Sequence, residues 1–401
     1  MIGDEALTQR YARYKALVRD EAMPTALVDL DAVDENMKRL SAKLGGSVAT
    51  IRVASKSVRC AEILRYLLDR GGEQFKGFLC YSAREAAWLA GKGFRDLIVA
   101  YPTVQKADLD AVCRQANEVT LAVDCAEHVT RIADAADRAG VVVQLIIDVD
   151  SSVRLGPVHL GVRRSPIHSV NEMLAVLAAI EGRTSVKFRG LMVYEAHVAG
   201  LVDNSPFAPM RNVPNQAFKK LARRTLATLR EALANALINR GYKGFLFNGA
   251  GTGSADVAKT EHWLTEVTIG SGYLASHLFD YYMGLSLIPA ATYATQVTRH
   301  PAPGFVTIQG GGFTASGGIG PDRLPVPYLP EGLGVLKDEG IGEVQSGLTV
   351  PDGLTLSLGD PVFFRHAKAG ELAEHLCEYL LIRGDKVVSR AKTYRGEGQC
   401  F

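Results

Sequence analysis

Lys56 is the first residue to weigh for chemistry. It closes ATIRVASK, an apolar run in which a charge is out of place unless it emerges into a site. A lysine desolvated at such a point has an amine able to condense with an aldehyde. Taken alone, the same residue also fits a surface lysine just past a strand.

FNGAGTGSA (247–255) is a glycine-rich turn directly after another apolar run. Gly249, Gly251 and Gly253 allow close backbone approach, so that N–H groups can cradle a phosphate. Asn248 and Thr252 belong to the same turn. The turn is not a dinucleotide fingerprint, because Ser254 stands where that motif has Gly or Ala, and it lacks the GK[ST] of a P-loop. IGSGY (269–273) follows the next run and adds Ser271, Gly272 and Tyr273, suited to the other side of one phosphate. Either loop alone also fits a tight turn; two on successive runs favour a shared ligand.

VYEAH (193–197) ends a further run with Tyr194, a ring that can stack or hydrogen-bond, and His197, a group that moves protons near neutral pH. In DVDSSVRLG (148–156), Arg154 can bind a carboxylate or a phenolic oxygen, or pair with Asp148 or Asp150. HLGVRRSP (159–166) offers another arginine pair, or a basic loop.

These residues need a scaffold that presents strand ends together. Short apolar runs recur from Pro24: TALVDL (25–30), ATIRVAS (49–55), GFLCYS (77–82), DLIVAYP (96–102), VTLAVD (119–124), VVVQLIIDVD (141–150), RGLMVYEA (189–196), FLFNGAG (245–251) and TEVTIGSGYL (265–274). Most are β-branched with little polar alternation, as parallel strands covered on both faces are. Helical stretches separate them. In DAVDENMKRLSAKLG, Val33, Met37, Leu40 and Leu44 share one face and Gly45 can end the helix. The rhythm matches a closed barrel better than an open doubly wound sheet.

After about residue 285 the helical rhythm stops, and β-like runs take over: TYATQVTR, GFVTIQGG, GLTLSLG and KVVSRAKTY. The tract SGGIGPDRLPVPYLPEG (316–332) reads as loop. The expected fold is therefore α/β, a (β/α)₈ TIM-type barrel followed by a mainly antiparallel β C-terminal domain. Its expected parts are an N-terminal helical segment over 1–22, the barrel over 23–285 and the β-rich domain over 286–401.

Among 401 residues, 47% are hydrophobic and 22% charged, and the formal net charge is +2 with the basic residues scattered. Nothing there points to nucleic acid or an anionic membrane as partner. No apolar run is long enough to span a bilayer, and the charged N-terminus lacks the pattern of a signal peptide. The 6 cysteines are spread without a CxxC pair and read as reduced thiols, which places the chain in the cytoplasm.

PTALVDLDAVDENMKRL followed by VASK resembles the opening of the alanine-racemase-like (fold type III) pyridoxal-phosphate enzymes, a group with a barrel and a β-rich tail domain. Within it, GLMVYEAH, NGAGTG, the IGSGY run and the His366 segment are more similar to D-threonine aldolases and D-serine dehydratases. The resemblance implies pyridoxal 5′-phosphate carried on Lys56 as a Schiff base, with Gly249, Gly251, Thr252, Gly253, Ser271, Gly272 and Tyr273 around its phosphate. It implies Tyr194 near the cofactor ring and His197 near the substrate's β-hydroxyl. Arg154 and Asn248 are expected as further cofactor contacts. It also implies a homodimer and a small amino-acid substrate.

Members of that group hold a divalent metal on a His-x-Cys or His-x-Asp pair. In PVFFRHAKAGELAEH, His366 matches, but Lys368 stands at the partner position, and a protonated amine is a poor ligand. Glu371 and His375 either substitute or mark a solvated helix face, and the group's Glu-Glu-His stretch reads GEVQSG (342–347) here. The implied activity is that of a lyase on a D-configured β-hydroxy amino acid, first by retro-aldol cleavage to glycine and an aldehyde. Ammonia elimination, racemisation and a non-catalytic carrier of the cofactor are the alternatives.

Overall fold

The computed structural model describes residues 6–155, 158–318 and 320–401. Residues 1–5 of the expected N-terminal helical segment, Gly156 of the Arg154 motif and Ile319 of the Gly/Pro tract lie outside the described residues. The chain begins α1 (Leu7–Leu17), β1 (Thr25–Asp29), α2 (Leu30–Lys43), β2 (Thr50–Ala54), α3 (Ala61–Gly71) and β3 (Phe75–Cys80). It continues α4 (Ala83–Gly91), β4 (Leu97–Val99), α5 (Lys106–Cys113), β5 (Val119–Val123), α6 (Ala126–Ala139) and β6 (Val143–Asp148). The hairpin β7 (Val153–Leu155) and β8 (Val158–Leu160) precedes α7 (Val170–Glu181) and β9 (Val186–Val193). Then come α8 (Ala196–Ala199), α9 (Asn212–Asn239), β10 (Leu246–Gly249), β11 (Glu266–Ile269) and α10 (Ser271–Leu274).

The chain divides into two compact units, one of them residues 40–56 and 66–270 with Phe401. That unit holds a closed barrel in the order β10-β11-β2-β3-β4-β5-β6-β9, all of its neighbouring pairs parallel. Each barrel strand comes from one of the expected apolar runs. Ile98, Ala100, Ala122, Ile146 and Met192 form an apolar cluster between its strands, with Leu79 and Leu246 packed against it. The helices alternate with the strands because their apolar residues recur at helical spacing: in α6, Val129, Ile132, Ala133 and Ala136 are buried, and Gly140 ends the helix in the left-handed conformation.

One run behaves differently. TALVDL was expected to open the barrel, yet β1 pairs antiparallel with β12 (Ala291–Arg299) and parallel with the later strand Glu378–Arg383. An apolar strand covered on both faces reads alike in either kind of sheet, so composition does not choose between them.

The second unit takes residues up to Arg39, 57–65 and 271–400. After β12 it contains β13 (Phe305–Gln309), β14 (Val326–Leu329), β15 (Gly334–Val335), β16 (Gln345–Thr349), β17 (Pro361–Arg365), β18 (Glu378–Arg383) and β19 (Lys386–Lys392). Apart from β1 against β18, its strand pairs are antiparallel. Helix α1 packs on this sheet: Tyr14 donates its hydroxyl to Asp29 at 2.9 Å, and Tyr11 and Tyr14 set ring edges against Phe363.

Two details of this unit correct the sequence reading. GLTLSLG is not a strand; Gly353 and Gly359, at φ 84° and 86°, bracket it with turns. The Gly/Pro tract is not all loop, because VPYL forms β14, an edge strand whose pairing with β17 shifts register between Pro327 and Leu329. An edge strand tolerates proline because one side of it needs no donor.

Candidate active site

The parallel strands bring their carboxyl ends to one rim. Lys56 follows β2, Tyr101 follows β4, Asp148 ends β6, Tyr194 follows β9 and Gly249 ends β10. Lys56 Nζ donates to Tyr101 Oη at 2.9 Å and lies 5.5 Å from the centre of that ring. Burial pushes the Tyr101 phenol up, but the charges of Lys56 and Arg164 outweigh it and hold the phenol below its ordinary value. Burial, reinforced by Asp124 and Asp150, pushes the Asp148 carboxyl up to about 7, with Arg164 opposing. Arg164 acts on Tyr194 as well, whose phenol burial holds well above its usual range.

The VYEAH and NGAGTG segments meet through a residue between the two that the sequence had singled out. Glu195 is fully buried and accepts from the Ala250 N–H at 3.1 Å and the Ser254 hydroxyl at 2.6 Å. Arg230 of α9 pairs with Glu195 and with Glu261 at 2.8 Å. A Cβ on Gly251 would sit 3.0 Å from Tyr194 Cε2, and one on Gly249 2.5 Å from Arg230 Nη2. A side chain at Gly249 would force its buried neighbours to shift, and one at Gly251 would crowd the Tyr194 ring. Thr252 is buried and Gly253 half-buried in the same turn.

His197 lies in α8, its ring 5.9 Å from that of Phe218. Both of its ring nitrogens are buried without a hydrogen-bond partner among the described residues. Burial is the main cause that holds its imidazole below the ordinary value, so the ring is neutral near pH 7. Asn248 lines the barrel, its amide nitrogen donating to Glu266 at 2.6 Å and Thr268 at 2.8 Å. Arg154 is exposed on β7, its guanidinium against the His168 ring. Arg164, noticed in the sequence only as half of a basic pair, is the arginine whose charge reaches Tyr101 and Tyr194.

In the second unit, Ser271, Gly272 and Tyr273 open α10. Ser271 Oγ lies 3.2 Å from the hydroxyl of Ser57, the residue after Lys56. Tyr273 is buried, and its carbonyl accepts from Asn36 at 3.1 Å.

The sequence profile of the family described as "Alanine racemase, N-terminal domain" matches residues 28–272. The chain belongs to that family. It is 24% identical over 360 residues to the D-threonine aldolase of an Arthrobacter species, covering 86% of this chain and 87% of the relative. Its fold is that of the D-threonine aldolase from Filomicrobium marinum, with a TM-score of 0.79 at 17% identity over 95% of this chain and 96% of the other. It is likewise that of the D-threo-3-hydroxyaspartate dehydratase from Delftia sp. HT23, with a TM-score of 0.72 at 17% identity over 94% and 98%.

Pyridoxal phosphate is the cofactor expected of this alanine-racemase-like family. The residues present fit it: an amine at a strand end, a glycine turn in which Gly249 and Gly251 are closely packed, and an imidazole whose two buried nitrogens have no partner among the described residues.

A divalent metal on the His366 segment is another matter. Burial, then Arg365 and His277, push that imidazole down to about 3. Lys368 turns its ammonium to Ser316 at 3.3 Å, Glu371 accepts from the Ser316 N–H at 3.0 Å, and His375 stacks on Phe313 with ring centres 4.4 Å apart. Among the described residues, the group with three converging ligand atoms is elsewhere, at Asp124, Cys125 and His128. There His128 already lies 3.0 Å from Asp124 in the first turn of α6. The donor set around His366 does not suit a divalent cation.

Proposed function

We propose that the chain is a pyridoxal-phosphate-dependent lyase that cleaves a D-configured β-hydroxy amino acid to glycine and an aldehyde. When bound, the cofactor delocalises the electron pair left at Cα, and the protein selects which bond breaks. Lys56 would carry it, with Gly249, Gly251, Thr252 and Gly253 at its phosphate and Tyr194 beside its ring. The observation that carries the reading is His197: a neutral imidazole, its nitrogens buried and without a partner among the described residues, is a base able to take the proton of a substrate hydroxyl. Loss of that proton is what breaks Cα–Cβ in a retro-aldol step.

A second reading is ammonia elimination. Asp148 favours it, since a carboxyl held near 7 by burial and two neighbouring acids keeps a proton to give to a departing hydroxyl. Lys56 would then remove the Cα proton.

Products from D-threonine, D-serine and 3-hydroxy-D-aspartate decide between the two: glycine with an aldehyde for the first, an oxo acid with ammonia for the second. The absorbance of cofactor bound to the wild type and to Lys56→Ala tests the premise of both. Neither product from any of these substrates overturns the lyase reading. The active form is proposed to be a homodimer, measured as mass in solution by light scattering.

A further inference from the structure

We infer that Ser254 and Glu195 are positioning residues that shape the NGAGTG turn for a phosphate, an inference that rests on the cofactor reading above. Ser254 is the residue that disqualifies this turn as a dinucleotide fingerprint. Its position in the structure explains why it is there. The Ser254 hydroxyl spends its one hydrogen on Glu195 at 2.6 Å, so its lone pairs face the turn and accept the Gly251 N–H at 3.0 Å. The Ser254 N–H closes the turn on the Gly251 carbonyl at 3.0 Å. Glu195 also takes the Ala250 N–H at 3.1 Å.

Two consecutive backbone donors are thereby tied down from below. Ala250 between them is held at φ 61°, a left-handed conformation that a residue with a Cβ adopts only when its surroundings impose it. Arg230, fully buried, fixes Glu195 in turn through their ion pair and donates to the Val193 carbonyl at 2.6 Å. The strand end that carries Tyr194 and the turn that cradles the phosphate therefore share one set of anchors. Gly251 lies against the Tyr194 ring, so a shift of the turn also moves the ring.

None of these groups needs to touch the cofactor. Their effect is on the phosphate end of it, which gives a readout that a general loss of stability does not imitate. The experiment measures dissociation constants of pyridoxal phosphate and of pyridoxal, which lacks the phosphate, for the full-length wild type, S254A and E195Q. The melting temperature of each is measured in parallel.

The expected result for S254A is a loss of about tenfold in affinity for pyridoxal phosphate, with pyridoxal affinity unchanged, so that the ratio of the two constants collapses. E195Q is expected to do the same more strongly. Because E195Q leaves Arg230 facing a neutral group and can cost the fold, S254A carries the decision. A wild-type ratio in S254A, or equal losses for both ligands, overturns the inference while leaving the cofactor reading intact. A wild type that binds neither ligand overturns the cofactor reading, and this inference with it.

Discussion

Lys56 and Tyr101 are joined by a hydrogen bond of 2.9 Å across two barrel strand ends, the amine donating to the phenol. The charges of Lys56 and Arg164 hold that phenol below its ordinary value against the effect of burial. A phenol so placed can exchange a proton with the amine during turnover. Tyr101→Phe is expected to lower turnover about 10–100-fold while the cofactor still binds, because Lys56 remains. The pH midpoint of the bound cofactor's absorbance should move in the same variant. Wild-type turnover together with an unmoved midpoint would show that the contact is incidental.

Beneath the rim, toward the amino ends of the strands, the barrel is held by charge. Arg52 is fully buried and bonds Glu266 at 2.6 and 2.8 Å, the Asp96 carbonyl at 2.6 Å and the Asp96 carboxylate at 3.0 Å. Arg189 adds a bond to Thr120 at 2.7 Å and pairs with Asp96. Burial opposes the Arg52 charge, and Glu266 and Asp96 more than offset it. Glu266→Gln leaves that guanidinium short of a counter-charge and is expected to cost about 3–5 kcal/mol, read by urea unfolding. Affinity for pyridoxal phosphate should not change, since Glu266 faces the barrel lining. A loss below about 1 kcal/mol would mean that Asp96 alone suffices to pair Arg52.

The barrel was legible because strands buried on both faces leave a simple trace, short β-branched runs, each ending in a residue that does not belong. The same rule that isolated Lys56 applies to Tyr101, next to last in DLIVAYP, yet a tyrosine is less conspicuous there than a charge. Glu195 sat in full view inside VYEAH, hidden by two neighbours with more familiar chemistry. Arg230 left no trace: one arginine among several in α9 does not announce that its side chain is buried. Arg154 and Arg164 show the limit of spacing: a hairpin follows β6 with Arg154 on it, and it is the charge of Arg164, further on, that reaches Tyr101. TALVDL went to the other sheet because pairing partners more than 250 residues away are not written in local pattern.

The donor set at His366 makes a prediction about metal. With Lys368 at the position next but one, and Glu371 and His375 engaged with Ser316 and Phe313, no set of three ligand atoms converges at His366 among the described residues. Prolonged dialysis against EDTA is expected to leave turnover unchanged, and the purified protein should carry no stoichiometric zinc, manganese or magnesium by elemental analysis. Loss of turnover on dialysis, restored by one of these ions, would falsify this reading of the segment.

Histidines held neutral by burial weaken the fold in acid, against Asp148, whose raised carboxyl takes up its proton first in the folded state and so contributes with the opposite sign. His366 is 3% exposed, and burial, then Arg365 and His277, push it down to about 3 from an unfolded value near 6.5. Burial also holds His197 and His277 below their ordinary values. A depressed value means that the unfolded chain binds the proton first. The histidines' contribution to stability is therefore full above about pH 6.5 and falls as pH drops through the window toward 3. Each such proton steepens the loss by up to about 1.4 kcal/mol per pH unit. Urea midpoints between pH 7 and 5 are compared for the wild type and a His366 variant, in which the Asp148 contribution is the same. His366→Asn, less stable at pH 7, should decline less steeply, by the equivalent of one proton. Parallel curves for the two proteins would show that His366 takes up its proton in the folded state, and that burial does not keep it neutral.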